Sequence, residues 1–228
     1  MFFDYYYLIL VVPAMFFAMW AQGQVKSTFN TYSRVGTRSG MTGFEAARRI
    51  LDANGLRNVS IERVAGELTD HYDPSVNIIR LSEKVYASSS VAAIGVAAHE
   101  AGHAVQYAQG YAPIKVRAAI IPVTQIGSKM AFPIVLLGAL FGRGNLINVG
   151  LLLFATVTVF QLVTLPVEFN ASSRAVQALS MCGSISDIEI TGVQKVLKAA
   201  ALTYVAALAV SIANLMRMVM IFGNRNRD

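Results

Sequence analysis

Two histidines and a glutamate in the middle of the chain form a metal-binding pattern. The sequence reads His99-Glu100-Ala101-Gly102-His103, and on a helix the two imidazoles lie one turn apart on the same face. Both can bind a single zinc ion, while Glu100 can take a proton from an attacking water. A surface histidine pair is the alternative. A random sequence of this composition contains the full H-E-x-x-H pattern only about 0.0008 times, so we predict a catalytic Zn²⁺ site.

A catalytic zinc usually has three protein ligands, so a third ligand must come from another segment. Two membrane crossings separate the motif from the acidic residues Glu168, Asp187 and Glu189, which returns them to the same side of the membrane. Glu168 follows directly on an apolar stretch, where a carboxylate needs a strong partner such as a metal. We predict that Glu168 is the third ligand; the alternative is a solvated residue at the interface.

Two other residues are candidates for catalysis. His71 lies between Asp70 and Asp73 and can stabilise the oxyanion of a tetrahedral intermediate, although a purely structural turn is the favoured interpretation. Arg174 stands six residues after Glu168 and can polarise a substrate carbonyl. Its alternative role is that of a basic anchor at the cytoplasmic end of a helix.

The composition indicates a membrane protein. Hydrophobic residues make up 55% of the chain, charged residues only 14%, and the mean hydropathy is +0.51, whereas soluble proteins have about 25% charged residues. Disordered chains, coiled coils and disulfide scaffolds are excluded, the last because there is one cysteine. The net charge of +6 comes without a basic, aromatic-interleaved stripe. We therefore expect contact with a lipid bilayer and no nucleic acid partner.

Four apolar segments are each long enough to cross a bilayer. They are residues 5–21, 118–141, 149–167 and 199–216. The first can also be a cleaved signal peptide, but it lacks a basic region before it and a cleavage site after it. We therefore predict a retained anchor.

Basic residues predict the orientation of these segments. The stretch between the first two holds eleven of the 19 Lys and Arg residues, which places it in the cytoplasm. Arg225 and Arg227 would then lie outside, against this trend. The predicted organisation is an anchor (1–21), a metallopeptidase domain (22–117), a transmembrane hairpin (118–168), a loop with the third ligand (168–198), a transmembrane helix (199–222) and a tail (223–228).

Local signals within 22–117 predict a small α+β domain. Thr42-Gly43-Phe44-Glu45 is a capping box that begins a helix, and Ser88 to Ser90 can cap the zinc-motif helix. The β-prone runs 59–64 and 76–81 predict a hairpin with a long tip, and the second run can offer an edge to an extended peptide unless it is internal. The predicted fold is mainly α, with about four transmembrane helices and a small cytoplasmic zincin-like domain.

Several blocks of the sequence resemble the YugP-type bacterial membrane zinc metallopeptidases. These are residues 68–74, 80–82, 96–106, 168–172 and 199–205, and the similarity covers nearly the whole chain. The order of zinc helix, membrane hairpin and Glu-bearing helix is also similar to HtpX-type membrane proteases. The resemblance implies that His99, His103 and Glu168 bind zinc. It also implies a location in the bacterial cell membrane, with Glu100 as the base.

One position departs from the pattern of this family. The residue two after the ligand Glu is usually Asp, and here it is Asn170. If that position orients a ligating histidine, Asn still accepts a hydrogen bond but raises the basicity of the ligand less.

The predicted function is hydrolysis of peptide or membrane-protein substrates by a zinc metalloendopeptidase. One alternative is a non-catalytic adaptor of a protease complex, in which four protein ligands would close a structural zinc site. A transporter is a weaker alternative, because apart from Lys129 and Gln161 the apolar segments lack the midplane charges and broken helices of a substrate path.

Overall fold

The computed structural model describes residues 4–222 of the chain. The predicted tail 223–228, with Arg225 and Arg227, and the first three residues of the predicted anchor lie outside the described residues. The elements are a π-helical turn (Tyr7–Val11) continuous with α1 (Val12–Tyr32), then α2 (Gly43–Ala53), β1 (Ser60–Val64), β2 (His71–Asp73), β3 (Ile78–Ser82), α3 (Glu83–Tyr86), α4 (Val91–Ala108), α5 (Ala112–Leu140), α6 (Gly144–Met181) and α7 (Asp187–Phe222). The fold is mainly helical, as predicted.

Within residues 4–222, four helices are long and apolar enough to cross a membrane, the same number of candidate spans as predicted. They are Tyr7–Tyr32, α5, α6 and α7. The chain divides into two compact units. The first comprises Met1–Gln22, Lys115–Pro166 and Leu202–Asp228, and the second comprises Gly23–Ile114 and Val167–Ala201. The second unit therefore contains a stretch of α6 and α7 that the predicted domain 22–117 does not.

The predicted loop 168–198 is almost entirely helical, which corrects the sequence prediction. Helix α6 continues to Met181, and α7 begins at Asp187. Between Glu168 and Met181 the sequence has no Gly or Pro to end a helix. The chain breaks only near Gly183, whose φ of 63° lies in the left-handed region. The third predicted ligand therefore lies on a regular helix and not in a loop.

Polar contacts link the helices of the first unit. The hydroxyl groups of Thr158 on α6 and Ser211 on α7 are 2.8 Å apart. Arg217 on α7 donates two hydrogen bonds to one carboxylate oxygen of Asp4, at 2.9 and 2.6 Å, and its guanidinium lies 5.1 Å from the centre of the Tyr7 ring. The ion pair is partly buried, with side-chain exposures of 12% for Arg217 and 21% for Asp4.

The sheet of the second unit has three strands in the order β1-β3-β2. Strands β1 and β3 run parallel, and β2 and β3 run antiparallel. The predicted hairpin of the runs 59–64 and 76–81 is therefore wrong, because the connection between them is long enough for a parallel crossover and contains a strand of its own. Since β3 is central, it offers no free edge to a peptide, and the internal-strand alternative holds.

Helix α4 lies at the centre of the second unit. Ser90 caps its N-terminus by accepting a hydrogen bond from the backbone of Ala93, as predicted, and the capping box of Thr42 and Glu45 on α2 is also present. The apolar side chains of α4 pack in one core with those of α2, β3 and the facing turns of α6 and α7. At Gly102, a Cβ atom would lie 2.7 Å from the carbonyl oxygen of Ala171. The absence of a side chain here allows α4 and α6 to approach closely.

Candidate metal centre

The two histidines of the motif share one face of α4, as their spacing predicts. Their ring centres are 4.7 Å apart and the ring planes are nearly perpendicular, at 83°. The His103 side chain is buried, and that of His99 is partly exposed. The imidazoles are therefore fixed by the packing of the helix and do not extend freely into solvent.

Glu168 on α6 meets both imidazoles. One of its carboxylate oxygens lies 3.3 Å from Nε2 of His99 and 3.6 Å from Nε2 of His103. One ligand atom from each residue can be chosen so that all three lie within 4.8 Å of one another. Glu168 is only 2% exposed, and burial of a carboxylate is unfavourable unless it pairs with positive charge or a metal. The structure thus brings together the three residues that the sequence predicts as ligands.

The other two acidic residues considered as ligands lie elsewhere. Glu189 accepts hydrogen bonds from the backbone N–H groups of Ser186 and Arg38, both at 2.7 Å, so its carboxylate caps the start of α7. Asp187 is the first residue of α7. Among the described residues, the group of potential metal ligands contains neither of them.

Each histidine has a second partner on the ring nitrogen that faces away from Glu168. Nδ1 of His99 lies 3.1 Å from the hydroxyl of Ser172, and Nδ1 of His103 lies 3.0 Å from the side-chain oxygen of Gln106. The sequence analysis missed both partners. Their positions gave a signal, since Gln106 is three residues after His103 and Ser172 four after Glu168, and residues so spaced share a helix face.

Glu100 is held by the neighbouring strand. The backbone N–H of Tyr72 on β2 donates to its carboxylate at 2.9 Å, and the side chain is 8% exposed. The Tyr72 ring packs edge-on against Tyr107 of α4, with ring centres 5.6 Å apart. The carboxylate beside the metal-ligand group is thus oriented by a backbone hydrogen bond.

Two groups near the motif have altered acidity. Burial disfavours the protonated imidazole of His103, but its contacts with Glu168 and the nearby charge of Glu100 outweigh burial and raise its pKa. A bound cation would oppose this effect, because it competes with the proton for the same nitrogen. Burial raises the pKa of Asp70, which accepts hydrogen bonds from the N–H and hydroxyl of Ser82. These hydrogen bonds hold Asp70, the residue directly before β2, against Ser82 at the end of β3.

His71 and Arg174, the other candidates, make contacts outside the metal-ligand group. The His71 ring is exposed, with Nδ1 2.8 Å from the carbonyl of Thr69 and Nε2 3.3 Å from Arg80. Arg174 donates to Asn170 at 2.7 Å and to Gln109 at 2.6 Å. Their catalytic roles remain predictions, and these contacts agree better with structural ones.

Comparison with known proteins identifies the family of the chain. The sequence matches the family described as "Putative neutral zinc metallopeptidase" over residues 7–223. A relative from Bacillus subtilis (strain 168), named "Putative membrane protease YugP", is 52% identical over 218 residues, which are 96% of this chain and 97% of the relative. No solved structure matches the chain. The resemblance and the membrane location are thus confirmed, and the histidines and buried carboxylate that meet between α4 and α6 belong to a member of the neutral zinc metallopeptidase family.

Proposed function

We propose that the chain is a membrane-bound zinc metalloendopeptidase, with His99, His103 and Glu168 as zinc ligands. The observation that carries this proposal is the meeting of these three side chains beside Glu100. Two imidazole nitrogens and one carboxylate oxygen form a donor set that suits zinc and leaves one coordination position for water. The hydrogen-bonding of both Nδ1 atoms also fits, because it leaves each Nε2 facing the shared carboxylate.

Glu100 acts as the general base in the proposed reaction. When bound, zinc would act as a Lewis acid, which would polarise the peptide carbonyl and make water more acidic. Glu100 accepts a proton from the attacking water and then transfers it to the amine nitrogen of the leaving group. The hydrogen bond from the N–H of Tyr72 keeps the carboxylate in place for both transfers.

The proposed substrates are peptides or membrane proteins reached from the cytoplasm. Support for the cytoplasmic face comes from the positive charge of the stretch 22–117, which contains the zinc motif. We also propose that the second compact unit, with its three-stranded sheet and motif helix, is a zincin-like domain. The adaptor alternative is less well supported, since the candidate group within the described residues has three members and a closed structural site needs four.

The test is metal analysis combined with proteolysis by the purified full-length protein. We expect about one zinc per chain and cleavage of a casein-like or unfolded membrane-protein substrate. Removing zinc with a chelator should abolish cleavage, and adding zinc back should restore it. His103→Ala should lose most of the zinc. Unchanged zinc content in that variant would reject the site, and a zinc-loaded parent protein without cleavage would favour the adaptor.

A further inference from the structure

Gln106 is a buried amide that contacts a proposed metal ligand and that the reaction above leaves without a role. We propose that Gln106 is a positioning residue that holds His103 in the tautomer whose Nε2 can bind metal. Asn170 and Arg174 fix the orientation of its amide. This inference rests on the proposed zinc site and concerns how the chain prepares one ligand atom for it.

The chain of hydrogen bonds starts at Arg174. A guanidinium group can only donate hydrogen bonds. Its Nε–H lies 2.7 Å from the side chain of Asn170, so the atom it meets must be the amide oxygen. This oxygen is also the atom of Asn170 that faces Gln106. Arg174 therefore fixes which way round the Asn170 amide is.

Asn170 in turn fixes the amide of Gln106. Nε2 of Gln106 donates to the Asn170 oxygen at 2.9 Å and to the backbone carbonyl of Val167 at 2.8 Å. A flipped amide would place its oxygen against two other oxygens. Gln106 is fully buried, so water cannot relieve such a repulsion, and unsatisfied buried polar groups are costly.

The fixed amide determines the tautomer of His103. Its oxygen lies 3.0 Å from Nδ1 of His103 and can only accept, so Nδ1 must carry the ring proton. A neutral imidazole with its proton on Nδ1 has a free lone pair on Nε2. This Nε2 is the atom that faces Glu168. The ligand atom is thus prepared by hydrogen bonds that run from α6 back to α4.

The same contacts explain why Asn is acceptable at position 170. Asn170 does not contact a histidine in these hydrogen bonds; it acts on His103 through Gln106. Its role needs one oxygen that accepts from both Gln106 and Arg174. An Asp side chain offers such an oxygen as well, so either residue maintains the same order of donors and acceptors.

Zinc affinity of the full-length protein in detergent tests this inference. We expect Gln106→Leu to bind zinc 10–100-fold more weakly than the parent in chelator competition, the usual cost of losing a hydrogen-bond partner of a ligand. Gln109→Leu is the matched control, because Gln109 lies on the same side of the motif and contacts Arg174 but not Asn170 or His103. It should stay close to the parent. The visible spectrum of the cobalt-substituted protein should change for Gln106→Leu and not for Gln109→Leu. A loss of stability alone would not cause such a spectral change.

A second pair of variants keeps the test decisive if Gln106→Leu fails to fold. Asn170→Asp retains the accepting oxygen and should bind zinc like the parent, whereas Asn170→Leu should weaken binding as Gln106→Leu does. Equal zinc affinity of the Asp and Leu variants, or parental affinity of Gln106→Leu, would overturn the positioning role. A parent protein that binds no zinc would instead reject the proposed function.

Discussion

Glu100 is the residue on which the proposed chemistry depends most directly. We expect Glu100→Gln to retain zinc and fold, because Gln has nearly the same shape and the ligands are unchanged. Peptide hydrolysis should fall by at least ~10²-fold, the scale of a lost acid–base group. The measurement is cleavage by the purified variant after its bound zinc has been confirmed.

Glu83→Gln is the matched control for this prediction, because Glu83 is exposed on α3. It should cleave substrate at the parental rate. If Glu100→Gln also cleaves at that rate, Glu100 is not the base.

The third ligand gives a separate prediction. Glu168→Ala should reduce the zinc bound per chain far more than Glu189→Ala, because Glu168 contacts both imidazoles while Glu189 accepts backbone hydrogen bonds at the start of α7. Metal analysis after dialysis of both variants measures the difference. The reverse order would place the third ligand at the start of α7.

At the scale of residues, the sequence indicated the proposed metal ligands better than the residues that hydrogen-bond behind those ligands. The positions of His99 and His103 followed from helix periodicity alone, and Glu168 from its place at the end of an apolar segment. The structure brings these residues together, and their binding of zinc remains a prediction. Gln106 and Asn170 could not be linked in advance, since their hydrogen bond depends on how α4 packs against α6.

Helix α4 and helix α6 pack closely at Gly102, and this contact can be tested. Gly102→Ala would place a Cβ atom 2.7 Å from the carbonyl of Ala171, three residues after Glu168. The helices must separate, and we expect a loss of about 1–3 kcal/mol in the free energy of unfolding, typical of overpacking. Weaker zinc binding should accompany it, because the two helices carry different ligands.

The control for this change is Gly23→Ala in α1. A Cβ atom at Gly23 has no neighbour within 4 Å, and Ala is favoured over Gly in a helix by about 0.5–1 kcal/mol. The control should therefore be neutral or stabilising in thermal unfolding. Equal effects of the two variants would show that the close approach at Gly102 is not important for stability.

The elements that the sequence predicted well are those with local signals. The capping box at Thr42 and the serine cap at Ser90 depend on residues three positions apart, and both formed as predicted. The strand pairing of 59–64 with 76–81 was predicted in the wrong direction, because pairing is decided by contacts across the sheet. The helical course of 168–181 was missed because the apolar pattern ends at Glu168 while the helix does not.

For the whole molecule, the predicted orientation is open to a labelling experiment. The single cysteine, Cys182, is first replaced by Ser. We expect a membrane-impermeant thiol reagent to label Arg143→Cys from outside intact cells and not Arg57→Cys, because most of the basic residues lie in the stretch 22–117. The opposite pattern would place the proposed site on the extracytoplasmic face, with a different pool of substrates.

The number of apolar helices was predictable because hydropathy is a property of continuous segments. The make-up of the second compact unit was not, because its stretches 23–114 and 167–201 are far apart in the sequence and meet only through tertiary contacts. A domain that ends at 117 would lack Glu168, and with it one proposed ligand.

The ion pair of Asp4 and Arg217 has a consequence for biogenesis. The two residues are 213 positions apart, so the ribosome adds Arg217 long after Asp4 has been made. Until then the Asp4 carboxylate lacks the partner that both donates to it and shields it from an apolar environment. A nascent chain that stops before Arg217 therefore lacks the cationic partner of the acidic group beside its first apolar helix. The contact that joins these two helix ends can therefore form only after Arg217 has been synthesised.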